Sequence, residues 1–400
     1  MITLKARLRA TPNGLLAAAL LSFLATAGLF YVNIMPAIIE GLSRGLGLTT
    51  REAGLIGSAN IYGAAFGAFA SVFLVRHLPW RAVTAALLVA LMLVDLTSIV
   101  LESVGVLVGV RAVHGIVGGL LVGFAFSVIA RTARPERTFG MLLIVQFGLG
   151  GLGVMFLPRL AAAHGTWVLF VALFAFSAVT LMMTPWLDDY AVERSAATQN
   201  VRLRGKHSSL FVLALLAVFL FQAANMALFS YILGLAGYFG LDLDFASRAV
   251  GAATWIGIAG SMLVIGLSTR RGRVVPLVTA LVVTVIGFWL LHYSASKAMY
   301  VIANCGTGIT WAFVMPYLLG MCAEFDEGGQ AAAFGGFASK MGLASGPMLG
   351  ALLLQEENYS LLISISSIGI LLCMVAAFIP ARMLDMRRNP SRPPRDGIYP

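Results

Sequence analysis

The stretch VLVGVRAVHGIVGG, residues 106–119, is almost wholly apolar, yet it carries Arg111 and His114 in its middle. It belongs to an apolar run, residues 105–130, that exceeds the roughly 20 residues a helix needs to cross a bilayer core of about 30 Å. Of the 400 residues, 60% are hydrophobic and only 11% are charged, whereas about 25% are charged in soluble domains. The chain is therefore predicted to be an integral membrane protein.

Apolar runs of this kind recur along the chain and predict twelve membrane-spanning helices. Their predicted bounds are 14–39, 53–75, 82–101, 105–130, 138–160, 166–187, 209–236, 248–268, 274–293, 298–322, 330–354 and 359–381. A transmembrane β-barrel would instead show segments of about ten residues with alternating polarity. The sequence lacks that pattern, so we expect an all-α fold.

The basic residues indicate the orientation of the chain in the membrane. Most of the 27 Lys and Arg fall between predicted spans on one side. They include Arg76, Arg81, Arg131, Arg134, Arg137, Arg202, Arg204, Arg270, Arg271, Arg273, Arg387 and Arg388. Cytoplasmic loops carry an excess of Lys and Arg, so both termini are predicted to be cytoplasmic. The net charge of +10 thus reports topology and does not predict a nucleic-acid partner.

A polar segment in the middle of the chain divides six predicted spans from six. The halves resemble each other: HGIVGG at 114–119 matches TGITWA at 307–312, and QFGLGG at 146–151 matches KMGLAS at 340–345. Two parallel six-helix repeats are a transporter architecture with the substrate site near the midplane. We therefore predict an N-terminal bundle (1–187), a cytoplasmic linker (188–208) and a C-terminal bundle with a basic tail (209–400).

Several short motifs resemble those of one transporter family. GLSTRRGR at 266–273 is similar to a loop signature of glycines and basic residues, with Thr269 where an acid is usual, and LVRHLPWR at 74–81 is its first-half equivalent. The span-four pattern is matched by Arg111, His114 and Gly115, and span eleven carries Gly342, Gly346, Pro347 and Gly350 in a related glycine motif. On these residues the chain is identified as a member of the major facilitator superfamily over nearly its whole length.

The resemblance implies a monomeric secondary transporter without a cofactor, in the cytoplasmic (inner) membrane of a bacterium. Its halves would alternate access to a central site surrounded by spans one, four, seven and ten. The resemblance also implies that Arg111 binds substrate or takes part in proton coupling. The loops that carry Arg76, Arg81, Arg270 and Arg273 would form the cytoplasmic gate through charge pairs.

Two cations lie deep inside predicted spans. Arg111 is about seven residues inside span four, which at 1.5 Å per residue is roughly 10 Å, and Lys340 is similarly deep in span eleven. A charge at such depth costs at least about 2.5 kcal/mol and should face a cavity or a partner. Gln146 occupies the matching place in the other half. A structural contact is the alternative for both cations: Arg111 with helix carbonyls or Asp95, and Lys340 with a carboxylate.

Acids are scarce within the spans, which limits the choice of proton carriers. Asp95 lies in span three, where it is expected either to brace Arg111 or to carry protons, and Glu40 closes span one on the outer side. His114 is a further candidate, because an unperturbed pKa of about 6.5 suits a protonation switch. The alternative for His114 is a packing residue. We take Asp95, His114 and Glu40 as the candidate proton-coupling residues.

Uncharged polar side chains complete the candidate substrate site. The candidates are Asn33, Gln146, Gln222, Asn225, Tyr231 and Trp311, beside Arg111, Lys340 and His114. Asn60, Tyr62 and Asn304 are further polar residues within spans. Each of these residues could instead form a structural hydrogen bond between helices.

Two buried cations with few acids predict a cavity that prefers negative charge. We therefore expect a transporter of a small organic anion, with a carboxylate as the expected class and with proton coupling through His114 or Asp95. The alternative is a proton-driven efflux pump for hydrophobic or drug-like compounds, which the 25 Phe and 17 Met favour.

Other classes of function find little support in the sequence. The chain lacks H-E-x-x-H and nucleotide-binding G-x-x-x-x-G-K-[ST] motifs and has no paired catalytic acids, so neither an enzyme nor direct use of ATP is expected. A membrane receptor is the remaining alternative from another class of function. The three cysteines have no metal-ligand spacing, and no metal site is predicted.

Overall fold

The computed structural model describes residues 9–75, 77–133, 135–190, 206–267, 272–325, 330–354 and 358–388. The helices are α1 Leu15–Ala27, α2 Phe30–Asn33, α3 Met35–Gly45, α4 Thr50–Leu74, α5 Trp80–Ser98, α6 Val104–Ile129, α7 Pro135–His164, α8 Trp167–Met183, α9 Lys206–Ser230, α10 Ile232–Tyr238, α11 Leu243–Ile256, α12 Ile258–Leu267, α13 Val274–Leu290, α14 Lys297–Ala323, α15 Gln330–Leu353 and α16 Tyr359–Arg388. These ranges contain helices and no strands, which confirms the all-α prediction.

Each predicted span corresponds to one helix or to consecutive shorter helices. Among the described residues, nine helices are long and apolar enough to cross a membrane by themselves. Span one is divided into α1, α2 and α3, and span eight into α11 and α12. We call the side of the membrane on which α1 begins the inner side, following the predicted orientation, and the opposite side the outer side.

The first span of each half is divided into shorter helices. Span one leaves α-helical geometry around Gly28 and Ile34, and span seven does so at Tyr231. A Cβ at Gly28 would overlap the carbonyl oxygen of Gly118 in α6, so the first break coincides with a close approach of two helices. Discontinuous helices are typical of transporter binding sites.

Glycines bring α4 and α6 into direct backbone contact. A Cβ at Gly63 would overlap the Ala112 carbonyl oxygen, and a Cβ at Gly115 would overlap that of Asn60. In membranes, such small residues let helices approach closely and gain van der Waals contact. The two helices therefore form a rigid pair within the first half.

Gly115→Ala should destabilise the protein by about 1–3 kcal/mol, because the added methyl group must displace backbone and overpacks the seam. Gly109→Ala is the matched control on the same helix, since a Cβ there meets nothing within 4 Å. Thermal unfolding in detergent should show a lowered Tm for the first variant and an unchanged or raised Tm for the second. Equal Tm values would mean that the α4–α6 seam is looser than described.

The halves meet along two seams. Between α4 and α15, the Tyr62 hydroxyl lies 2.8 Å from the Ser345 hydroxyl. Between α7 and α11, Trp255 Nε1 donates to the Gly148 carbonyl oxygen at 3.0 Å. The site described next lies between these seams.

Candidate substrate cavity

A central cavity of about 230 Å³ lies between the two halves. Its polar lining consists of Asn33, Gln146, Gln222, Asn225, Thr254, Asn304, Thr307 and Trp311. Its apolar lining consists of Val32, Phe147, Met226, Leu228, Phe229, Ile232, Val250, Ala253, Phe288, Leu291 and Leu343, with Gly257 and Gly308. The structure thus brings together five of the predicted substrate-binding residues: Asn33, Gln146, Gln222, Asn225 and Trp311.

Hydrogen bonds fix several of the amides in this wall. Asn225 Nδ2 donates to the Phe221 carbonyl oxygen and Asn304 Nδ2 to that of Tyr300, each at 2.8 Å. Each bond uses one of the two N–H groups of its amide, and the amide oxygen remains available as an acceptor. The wall therefore suits a ligand that carries hydrogen-bond donors.

Gln222 connects two helices of the cavity wall. Its Oε1 accepts from Trp311 Nε1 at 2.7 Å, and its Nε2 donates to the Ser339 hydroxyl at 2.8 Å. The Trp311 ring also packs edge-to-face against Phe229, with centroids 5.7 Å apart. These contacts hold the indole in one orientation, so it can serve as a flat apolar surface for a ligand.

Lys340 lies beside the cavity without being part of the lining. It follows Ser339, and it shares a helix face with Leu343, which lines the cavity one turn further on. Among the residues that the structure describes, Lys340 has no ion pair or hydrogen bond. It is therefore a cation at the edge of the cavity that no described carboxylate neutralises.

The structure does not place Arg111 on the cavity wall, so the prediction that it binds substrate there is corrected. Its side chain is fully buried, NH1 lies 3.0 Å from Asp95 Oδ1, and NH2 donates to the Val94 carbonyl oxygen at 3.1 Å. NH2 also donates to the Ser98 hydroxyl. The physical reason is the rotation of α6: this face of the helix packs against α5 and not against the midline.

His114 belongs to the same buried cluster and is likewise absent from the cavity lining. Its Nε2 lies 3.3 Å from Asp95 Oδ1, and its Nδ1 lies 2.7 Å from Asn60 Nδ2. Asp95 itself is completely buried. Asp95 therefore contacts both Arg111 and His114, and its carboxylate neutralises the charge of Arg111.

Tyr231 and Glu40 also lie away from the cavity, at or towards the outer side. The Tyr231 hydroxyl donates to the Pro347 carbonyl oxygen at 2.5 Å, and its ring lies against Gly350. Glu40 is buried and pairs with Arg44. Tyr231 was predicted to bind substrate, but it lies outside the cavity lining and connects α15 to the break in span seven.

Comparison with known proteins agrees with this architecture. The family model of the Major Facilitator Superfamily matches residues 15–338. The chain belongs to this superfamily. It is therefore a secondary transporter and not an enzyme. A comparison with curated proteins finds no match.

Solved structures of other superfamily members share the fold. A crystal structure of a mutant of the nucleoside transporter NupG superposes with a TM-score of 0.70 at 14% sequence identity, covering 91% of this chain and 99% of that one. A D-xylose-proton symporter superposes with a TM-score of 0.71 at 13% identity, covering 92% of this chain and 96% of that one. At such low identity the likeness establishes the fold alone.

The predicted gate residues contact partners within their own half. Arg81 NE lies 2.5 Å from Asp189 Oδ1 in the first half, and Arg273 pairs with Glu324 in the second. The backbone N–H groups of Arg273 and of the next residue donate to the Asp385 carboxylate at 2.8–3.0 Å. These charge pairs tie the inner ends of helices within each bundle of the superfamily fold, and the gating role of Arg81 and Arg273 stays a prediction.

The other two predicted gate residues, Arg76 and Arg270, lie outside the described residues. The contact of the Asp385 carboxylate with the start of α13 was not predicted. The sequence indicates it only by placing an acid just beyond the last apolar run. Asn60 was noted only as a polar residue. The apolar lining from Phe288 and Leu291 had no distinguishing signal, because span nine is apolar throughout.

An ion pair joins the halves on the outer side. Arg159 NH1 of α7 lies 2.5 Å from Asp244 Oδ1 of α11, and Asp244 also pairs with Arg248 one turn along its own helix. The pair lies beyond Trp255 on the same seam. In this superfamily member the contacts on that side therefore close the seam between α7 and α11.

Proposed function

We propose that this transporter carries a small neutral solute with several hydroxyl or N–H groups, such as a sugar or a nucleoside, by alternating access. The observation that carries the proposal is the cavity wall, in which amides supply most of the polar groups and no described lining residue is charged. A neutral solute can pair with amides without leaving a charge buried in the membrane. The buried Arg111–Asp95 pair supports the same view, because Arg111 is already neutralised.

The size and geometry of the cavity support a small substrate. Pockets for drug-sized ligands measure about 300–1,000 Å³, and this one is about 230 Å³. The amide oxygens of Asn225 and Asn304 match hydroxyl donors, and the Trp311 ring matches the flat face of a sugar or base. Both solved relatives are named for neutral, hydroxyl-bearing solutes. These features favour a sugar-sized solute over the drug-like compounds of an efflux pump.

A small organic anion is the second candidate, and Lys340 is the observation that favours it. An unneutralised ammonium group beside a cavity attracts a carboxylate, as the sequence analysis expected. Because Lys340 does not line the cavity, we rank this candidate second. The inner-membrane location, cytoplasmic termini, monomeric state and proton coupling belong to the proposal, and the many basic residues of the inner loops support the orientation.

Thermal unfolding in detergent against a panel of pentoses, hexoses, nucleosides and small carboxylates tests the proposal. A ligand at one hundred times its Kd stabilises the folded state by about 2.7 kcal/mol. We expect a neutral solute to raise the Tm. Stabilisation by a carboxylate alone, lost in Lys340→Gln, would instead establish the second candidate.

Gln222→Leu should weaken binding of the stabilising solute roughly 10- to 100-fold, because Trp311 Nε1 and the Ser339 hydroxyl both lose their partner. Ser230→Ala is the matched control on the same helix: Ser230 bonds only the Met226 carbonyl oxygen and does not line the cavity. Titration calorimetry should show an unchanged Kd for the control. Equal affinities in wild type and Gln222→Leu would place the binding site elsewhere.

A further inference from the structure

We propose that Asn60 holds His114 as a neutral imidazole with its proton on Nε2, so that His114 acts as a donor to Asp95 and not as a proton carrier. Asn60 is then a positioning residue for the buried cluster of α4, α5 and α6. The proposal goes beyond the identity of the solute. It rests on which atoms of three side chains face one another.

The orientation of the Asn60 amide is fixed by the backbone. Its Nδ2 lies 3.2 Å from the Arg111 carbonyl oxygen, which can only accept a hydrogen bond. The amide nitrogen, and not the amide oxygen, must therefore face α6. The same nitrogen lies 2.7 Å from His114 Nδ1.

The tautomer of His114 follows from that orientation. An amide nitrogen only donates, so Nδ1 must accept and must carry a lone pair instead of a proton. The proton of a neutral imidazole then resides on Nε2, which lies 3.3 Å from Asp95 Oδ1. Asn60, His114 and Asp95 form a chain in which every hydrogen bond runs towards the carboxylate.

The charge of the cluster agrees with a neutral imidazole. Arg111 and Asp95 are both fully buried and together carry no net charge. An imidazolium at His114 would add an uncompensated charge to this interior, which is strongly unfavourable. It would also direct an N–H at the amide of Asn60, where no acceptor is present.

Among the residues that the structure describes, those that face His114 offer no other charge to offset a proton. Facing His114 are Asp95 of α5, Arg111 of its own helix and the Tyr31 ring of α2, whose centroid is 5.8 Å away. The helix α1 contains no titratable residue. The titratable residues of α4 are Arg51 and Glu52 in its first turn and Tyr62, whose hydroxyl faces Ser345. The titratable residues of α7 lie near its two ends: Glu136, Arg137, Arg159 and His164.

The inference separates the two candidate proton carriers of this cluster. The lone pair on Nδ1 and the proton on Nε2 of His114 are both committed, whereas Asp95 Oδ2 has no hydrogen-bond partner among the described residues. Asp95 is thus the position at which a proton can be added without breaking an existing hydrogen bond. His114 keeps the other carboxylate oxygen oriented.

Nitrogen-15 NMR of the histidine-labelled protein between pH 5 and 8 tests the proposal without any substrate. His114→Gln assigns the signal of His114. We expect His114 to show a proton on Nε2 alone and no change with pH. A proton on Nδ1, or titration of wild-type His114 in this range, would overturn the proposal.

Asn60→Asp tests the role of Asn60 itself. The side chain keeps its shape but presents an acceptor to Nδ1, so His114 should become doubly protonated within the same pH range. Asn60→Leu removes the donor without adding a charge and should leave His114 neutral. Identical spectra for wild type and Asn60→Asp would show that Asn60 does not control the tautomer, and the wild-type spectrum decides the assignment even if a variant fails to fold.

Discussion

Replacing Arg111 with methionine should lower the free energy of unfolding by about 3–5 kcal/mol, the usual result of removing one partner of a buried ion pair. The side chains of Arg111 and Asp95 are both completely inaccessible to solvent. The variant would leave the Asp95 carboxylate without its cation inside the membrane. Denaturant titration in detergent micelles, followed by circular dichroism, measures the change.

The double variant Arg111→Met, Asp95→Asn separates the charge effect from packing. Asparagine keeps an oxygen for His114 Nε2, so the double variant should recover most of the lost stability. A double-mutant cycle quantifies the coupling. If the double variant were as unstable as the sum of both single variants, the pair would contribute through packing and not through charge compensation.

Cross-linking the outer seam should abolish transport. Cysteines at Arg159 and Asp244, in a background without the native cysteines, would be joined by a short bifunctional thiol reagent across α7 and α11. Alternating access requires this seam to open, so uptake into liposomes of the panel solute that stabilises the wild type should fall to background. A reductant that cleaves the reagent should restore uptake.

A matched control uses the same reagent within one helix. Asp244 also pairs with Arg248 four residues along α11, so cysteines at these two positions give a cross-link that does not join the halves. This control should transport at the rate of the unmodified variant. Full uptake through the cross-linked Arg159–Asp244 variant would mean that the seam between α7 and α11 does not open during transport.

Much of the architecture could be predicted because it depends on the polarity of each segment. A bilayer requires long apolar runs, and these predicted the all-α class and the positions of the long helices. Polar residues deep within such runs are costly, which is why Asn33, Gln146, Gln222 and Trp311 could be selected as a group. The structure brings them to one cavity.

The direction in which each polar residue points could not be predicted. Arg111 and Gln222 both sit deep inside helices, yet Arg111 faces α5 and Gln222 faces the cavity. That difference depends on the rotation of each helix, which the glycine contacts between α4 and α6 help to set. A rotation of this kind is a property of helix pairs and leaves no mark in the hydrophobicity of a single run.

The Arg159–Asp244 and Arg111–Asp95 ion pairs also differ in their contact with water. The Arg159 and Asp244 side chains are 31% and 38% exposed, whereas those of Arg111 and Asp95 are not exposed. Dissolved salt screens exposed charges over about 8 Å at physiological ionic strength and about 3 Å at 1 M. Higher ionic strength on the side of the membrane where Arg159 and Asp244 lie should therefore weaken this contact between the halves and leave the buried Arg111–Asp95 pair unaffected, so that salt on that side shifts the balance between the two orientations of the transporter.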